Sequence, residues 1–402
     1  MAVHAANISN YVKSVALSGT VQVSDKVREL KRKGIEVIHF GSGDPDFDTP
    51  PHIREALERA VRDGFTHYVE SKGILELREA ISEKLSNENG LKVNPDSEII
   101  VTPGGKHAIF CSIVTLVNPG DEVLIFDPSW VSYEPCVQIA GAVPVKISLN
   151  QENGFLVTQE QIEAQITSRS KAILVNSPTN PTGRVLTEKE LKSVVDIAQK
   201  YNLFVISDEV YEKIIFDIKK HTSLASFPGM AERTITVNAF SKTYAMTGWR
   251  LGYLAGPKNI VREILKVHQH SMTCAPSFIQ KAGVAALKGT QEPVLRMAAE
   301  FERRRNIILE GLAQIPELTY TKPEGAFYIF PNISSFKRSS IDFAYFLLEE
   351  GRVAVTPGVG FGQSFDTHVR ISFTIKEDKI REALQCMKHA CAKLAETTEK
   401  IR

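Results

Sequence analysis

Short apolar runs rich in β-branched residues recur through the middle of the chain: "DEVLIFDP", "KAILVNSP", "LFVISDEVY", "RTITVNAF" and "WRLGYLAG", each bounded by turn residues. Their apolar stretches are mostly continuous rather than alternating, the pattern expected when both faces of a strand are buried in a parallel sheet. Between them lie amphipathic stretches. The clearest, "TEKELKSVVDIAQKYN", opens with Thr187 as a helix cap, carries Glu190 three positions on, and continues with a 3.6-period apolar face. Strand and helix in alternation predict an α/β layer architecture.

After about Pro276 the rhythm changes to long charged helices, "QEPVLRMAAEFERRRNIILEGLAQI" above all. A strand in "EGAFYIFP" and an apolar-striped helix over Ile341 to Glu350 follow, so a second, smaller domain of mixed elements is expected. The expected division is 1–50 for an N-terminal segment and part of the small domain, 51–290 for the large domain, and 291–402 for the rest of the small one. A chain of 402 residues, 43% of them hydrophobic, is long enough for such a pair packed around a cleft. Its 48 basic and 47 acidic side chains leave a net charge of +1, which predicts neither a nucleic-acid footprint nor an anionic-membrane one. The five cysteines form no CxxC pair, and "MAVHAANISNYVKSV" lacks a signal-peptide pattern, so a cytoplasmic protein with reduced thiols is expected.

Several short motifs carry candidate chemistry. In "TPGGKHA", Gly104 and Gly105 precede a helical stretch whose amides could hold a phosphate, although the motif alone also reads as a plain tight turn. It has neither the GxGxxG nor the GxxxxGK[ST] spacing of the common nucleotide loops. "SDEVY" ends a strand with Asp208 and Tyr211, a carboxylate able to hold a ring nitrogen protonated and a phenol able to donate to a ring oxygen. "NSPTNPTG" presents Asn180 between two prolines. "SKTYAMTGWR" adds the reactive group: Lys242 at a strand-to-turn junction near Arg250, where desolvation and a neighbouring cation lower an amine's pKa and favour imine formation. Ser241 and Arg250 could both reach a phosphate, the arginine in a forked geometry.

With "GDPDFDTP", "TPGGKHAIF", "DPSWVSYEP", "NSPTNPTG", "SDEVYE", "SKTYAMTGWRLGY", "EGAFYIF" and "VRISF" in this order, the chain resembles the class I pyridoxal-phosphate aminotransferases of fold type I. The resemblance runs from about Val21 to the C-terminus and points to the branch of bacterial aspartate and aspartate/prephenate enzymes. It implies a three-layer fold around a large, mostly parallel sheet, with a smaller α/β domain built from both termini. It makes Lys242 the lysine that carries pyridoxal 5'-phosphate as an imine, and Asp208 the partner of the ring nitrogen. Tyr211 and Asn180 would hold the phenolic oxygen, and Trp130 would stack on the ring. Gly104, Gly105, Lys106, Ser241 and Arg250 would surround the phosphate, joined by Tyr68 from a neighbouring subunit, which implies a homodimer with shared active sites. Arg370, with Asn180, Trp130 and the backbone of Gly43, would receive the substrate α-carboxylate.

The implied reaction moves an amino group from an L-amino acid to a 2-oxo acid. Lys106 matches the lysine that meets a distal carboxylate, favouring aspartate or glutamate with oxaloacetate or 2-oxoglutarate. Two departures bear on this. In "VALSGTVQV" Ala16 stands where the branch carries a cation, with Lys13 as the only nearby substitute. In "HQHSMTCAPSF" His268 and His270 would either enlarge or recharge the pocket or sit as ordinary interfacial residues. No zinc spacing accompanies that pair, so no metal is expected. The alternatives are a broad, aromatic, neutral or basic amino-acid specificity, a C–S lyase using the same lysine and aspartate, and a catalytically silent cofactor-binding module.

Overall fold

A computed structural model describes residues 8–15, 20–217 and 219–399. Seven strands form the main sheet: β1 (Ile99–Thr102), β2 (Glu122–Asp127), β3 (Val143–Ser148), β4 (Ser170–Asn176), β5 (Phe204–Asp208), β6 (Thr234–Ala239) and β7 (Gly252–Ala255). Their spatial order is β1-β7-β6-β5-β4-β2-β3. All neighbours pair in parallel except β7, which runs antiparallel to both β1 and β6.

The continuous apolar runs have the cause expected of them, because successive side chains enter opposite layers. In β2, Val123 and Ile125 join a cluster with Ile109 and Ile113 of helix Gly105–Leu116 and Ile260 and Ile264 of helix Lys258–Met272. Leu124 and Phe126 of the same strand join Leu191, Val194 and Ile197 of helix Glu188–Lys200 on the other face. The result is three layers, helix, sheet and helix. β7 corrects the parallel reading of "WRLGYLAG": it is buried on both faces because it lies inside the sheet, which masks its reversed direction. β3, at the sheet edge, is largely only partly covered and lacks the continuous apolar run of the central strands.

Helix Glu188–Lys200 begins as its sequence predicts. The Thr187 hydroxyl accepts from the Glu190 amide and the Glu190 carboxylate accepts from the Thr187 amide, a reciprocal cap contributing about 1 kcal/mol. Glu190 is also fixed by Arg184 at 2.7 Å, which ties the helix start to the loop after Asn180.

The second body draws on both ends of the chain. Ile38 and His39 pair in parallel with Val353 and Ala354. Beside them, Val369–Ser372 is the centre of a three-stranded antiparallel sheet, flanked by Thr356–Pro357 and Tyr328–Ile329. Helices Glu292–Leu312, Ser340–Gly351 and Glu377–Glu399 cover this small sheet through Ile308, Phe343, Leu347, Ile380 and Met387, all fully buried. Among the described residues no helix is long and apolar enough to cross a membrane.

Candidate active site

The carboxyl ends of β4, β5 and β6 open into a cavity of about 770 Å³ that reaches across to the small sheet. Clefts at this edge of an α/β sheet arise because the loops leaving parallel strands all emerge there. Asn176 ends β4, Asp208 ends β5, and the single turn Phe240–Thr243 after β6 carries Ser241 and Lys242. Arg370 enters from the opposite wall on strand Val369–Ser372.

Lys242 Nζ donates to the Gly43 carbonyl at 2.6 Å and has no carboxylate within ion-pair distance among the described residues. Burial pulls its pKa down to about 8, helped by the cations Arg370 and Arg250 and opposed chiefly by Asp44. Asp208 is buried and likewise lacks a cationic ion-pair partner; burial lifts its carboxyl to about 6, while the Tyr133 hydroxyl, donating at 2.5 Å, works in the other direction. The Tyr211 and Tyr328 hydroxyls meet at 3.0 Å, and burial drives both phenols upward in pKa.

Arg370 is buried with no acidic partner among the described residues. It donates to Asn180 Oδ1 at 3.0 Å and the Gly41 carbonyl at 2.8 Å, and lies 4.3 Å from the Tyr328 ring and 4.8 Å from that of Phe361. Its Nε has no hydrogen-bond partner. A guanidinium held this way retains its charge but is uncompensated, the condition for receiving an anion.

The other end of the cavity gathers Arg250 and the N-terminus of helix Gly105–Leu116. Gly104, with φ of +89°, caps helix Gly105–Leu116. A side chain on Gly104 would collide with the Arg250 guanidinium, so the glycine lets the arginine lie against the turn. Arg250 itself takes a left-handed backbone, φ of +58°, and is aimed by donating to the Thr247 carbonyl at 2.9 Å. Gly252 completes the close approach: a Cβ there would lie 2.8 Å from the backbone of both Gly104 and Gly105.

The cavity thus brings together Gly43, Gly105, Lys106, Trp130, Asn180, Asp208, Tyr211, Ser241, Lys242, Arg250 and Arg370. Gly104 stands behind this lining, as the cap of the helix. Tyr68 lies outside it, 85% exposed on the surface. Lys106 extends over Trp130, 5.0 Å from the ring, rather than toward an acidic side chain. Of the two readings of His268 and His270, enlarging or recharging the pocket does not hold: His268 is fully buried against His107 and outside the cavity, and His270 does not line it either. Lys13, in helix Asn10–Lys13, is also absent from the lining, and Ala16 lies outside the described residues.

Sequence reasoning missed several members. Tyr133 lay within the quoted "DPSWVSYEP", and its helical distance from Trp130 was an available signal. Tyr328 lay within "EGAFYIF". Asp44, which accepts from Thr247 at 2.5 Å, and Asn176, which receives the Asn180 amide at 2.9 Å, sat in quoted motifs without an assigned task. Thr356 and Phe361 carried no sequence signal, because only the folding of the small sheet brings them to the cavity.

A buried lysine, a buried carboxylate without a cation and two arginines without acidic partners among the described residues share one cavity of this α/β fold, and the fold and site together are those of a transferase. The chain belongs to the family "Aminotransferase class I and II", whose profile matches residues 35–386. It is 42% identical over 385 residues to an aspartate aminotransferase of Musicola paradisiaca, covering 96% of both chains. It is 43% identical to aromatic-amino-acid aminotransferase 2 of Thermococcus litoralis, covering 88% of this chain and 92% of that one. Among solved structures, the aspartate aminotransferase from Thermus thermophilus with maleate superposes with a TM-score of 0.91 at 39% identity, over 96% of this chain and 99% of the other.

Proposed function

We propose that the protein is a pyridoxal-phosphate-dependent aminotransferase acting on acidic amino acids, aspartate or glutamate, with oxaloacetate or 2-oxoglutarate as acceptor. The cavity's donor set fits the cofactor at each end. Arg250, Ser241 and the amides at Gly105 and Lys106 suit a phosphate dianion; Asp208, a buried carboxylate without a cation, suits a protonated ring nitrogen. Tyr211 and Asn180 would hold the ring oxygen, and Trp130 the ring face. Bound there, pyridoxal phosphate supplies an aldehyde for amine exchange and an electron-withdrawing ring that acidifies the amino acid's α C–H bond.

The chain's own groups would do the rest. Arg370 binds the α-carboxylate in a forked pair and so fixes the direction of the α C–H bond. Lys242, with its amine pulled down to about 8, is about one-tenth neutral at pH 7, far more than an ordinary lysine, and would take the α-proton and return it in the reverse half. The small sheet carrying Arg370 would exclude water by closing over the substrate.

The observation that carries the substrate class is that Arg370 and Lys106 both line the cavity with no carboxylate within ion-pair distance among the described residues. Two cations around one pocket match a dicarboxylate, and the maleate-bound Thermus thermophilus relative supports the same class. A second reading, aromatic substrates, is favoured by Ile109, Val131 and Phe361 in the lining and by the Thermococcus litoralis relative. Exposed Tyr68 supports a homodimer in which that tyrosine serves a second copy's site. The five cysteines are all unpaired, which supports a cytoplasmic setting.

The test is stopped-flow absorbance of cofactor-loaded protein mixed separately with aspartate, glutamate, tyrosine, alanine and arginine. Conversion fastest with aspartate or glutamate supports the acidic assignment. Equal or faster conversion of tyrosine or alanine replaces it with the broad reading, and absence of conversion with all five overturns transamination.

A further inference from the structure

One residue beyond Lys106, His107 and Cys111 share a face of helix Gly105–Leu116 four positions apart. His268, on helix Lys258–Met272, meets the His107 ring edge to face, with ring centroids 5.2 Å apart. His107 Nε2 lies 3.1 Å from His268 Nδ1 and 3.2 Å from Cys111 Sγ, and one ligand atom from each residue falls within 4.8 Å of the others. Zinc bonds to nitrogen and sulfur in a tetrahedron separate ligand atoms by about 3.3–3.6 Å. The two separations from His107 fall within about 0.4 Å of those values, and the one between His268 and Cys111 is at most 4.8 Å.

The hydrogen-bond arrangement is overcrowded without a cation. His107 Nε2 has one in-plane proton or lone pair, yet it faces His268 Nδ1, Cys111 Sγ and, at 3.5 Å, Ser271 Oγ. It can serve one of these well. A metal ion between the three side chains would use a lone pair of each. We propose that His107, Cys111 and His268 form a binding site for a divalent cation that prefers imidazole and thiolate, with zinc the best match and water completing the fourth position.

Burial lowers both histidines, His268 to about 4, so both rings are neutral and able to ligate at pH 7. Burial raises the Cys111 thiol to about 11, so binding must replace its proton, released to solvent, with the metal. His107 is half-buried and Ser271 exposed, which leaves an entry path in the folded chain. The site would clamp the first turn of the helix that carries Gly105 and Lys106, giving the cation a purchase on the cavity without contact with it. A second cluster, Glu209, Glu212 and His221, offers no comparable opening, because Glu212 already holds Lys84, Asn89 and Asn238.

The experiment uses tag-free, cofactor-loaded protein titrated with cobalt(II), read by visible ligand-field absorption and by metal analysis after gel filtration. Expected is one cobalt per chain with the intense bands of a tetrahedral site, displaced by zinc. Cys111→Ser and His268→Gln should each weaken cobalt binding at least about tenfold while circular dichroism stays native. If His268→Gln fails to fold, Cys111→Ser alone decides. Folded wild-type protein that takes up no cobalt, or cobalt binding with the same affinity and spectrum in Cys111→Ser, overturns the site.

Discussion

Substituting Arg370 tests the carboxylate-receiving role most directly. Its guanidinium is held by Asn180, Gly41 and two aromatic rings, and its remaining donor capacity faces the cavity. Arg370→Lys keeps the charge but removes the fork, so one hydrogen bond to an ionised group is lost, about 1.5–3 kcal/mol. That corresponds to a fall of about 10- to 150-fold in kcat/KM for the amino acid. Arg370→Met removes charge and both bonds, about 3–6 kcal/mol, or roughly two to four orders of magnitude. The assay is the single-turnover conversion of enzyme by aspartate, followed by absorbance, with a primary amine lacking a carboxylate as control. The control should react within about threefold of wild type in both variants, since a simple amine has no carboxylate to lose. An Arg370→Lys enzyme within threefold of wild type on aspartate, or an amine control that falls in parallel, would refute the reasoning.

Lys106→Ala should lower kcat/KM for aspartate by about 10- to 100-fold and leave alanine nearly unchanged, as expected for one charge-assisted contact; equal losses on both would remove the distal-charge role. In the cofactor-free protein, acylation of Lys242 followed by mass spectrometry should rise with pH through a midpoint near 8 and level off above it, because a lowered pKa exposes the neutral amine earlier. A rate still climbing at pH 10, as for surface lysines, would contradict its buried setting. Tyr133→Phe removes the hydrogen bond that holds Asp208 ionised, so the carboxyl should rise further above about 6. Cofactor affinity should then decline on acidification about one pH unit earlier than in wild type, the equivalent of roughly 1.4 kcal/mol; superimposable curves would show that Tyr133 does not tune it. Gly252→Ala puts a Cβ against the backbone of Gly104, Gly105 and Asn238, with a cost of about 1–3 kcal/mol in a urea melt together with weaker cofactor retention. An unchanged midpoint would mean that the turn yields more easily than its packing implies.

The layer architecture was legible because burial on both faces leaves a direct mark, as in "DEVLIFDP" and "KAILVNSP". Direction leaves none, so burial alone does not reveal that β7 runs antiparallel to β1 and β6 within a mostly parallel sheet. The capping box at Thr187 and Glu190 was legible because both partners are local. Lys242, Asp208, Asn180 and Arg250 stood out because each closes a strand or turn whose residues are unusual in company. Arg370, in isolation, reads as a solvated edge residue; it is buried because its strand is the centre of the small sheet, flanked by segments that begin at Tyr328 and Thr356. Phe361 and Thr356 reach the cavity only through that same sheet. The contact of His268 with His107 leaves no mark in the sequence, because His107 and Cys111 are roughly 160 residues away, beyond any spacing rule.

The pairing of Ile38 with Val353 also fixes the order in which the molecule can be made. A ribosome adding about 5–20 residues per second finishes the whole seven-stranded sheet before the partner of Ile38 has been synthesised, a wait on the order of tens of seconds. During that interval the N-terminal segment emerges without its strand mate while Lys242 and Asp208 can already be in place. The half that carries Lys242 and Asp208 is born first, and the half that carries Arg370 assembles last, when the late chain returns to pair with Ile38 and His39.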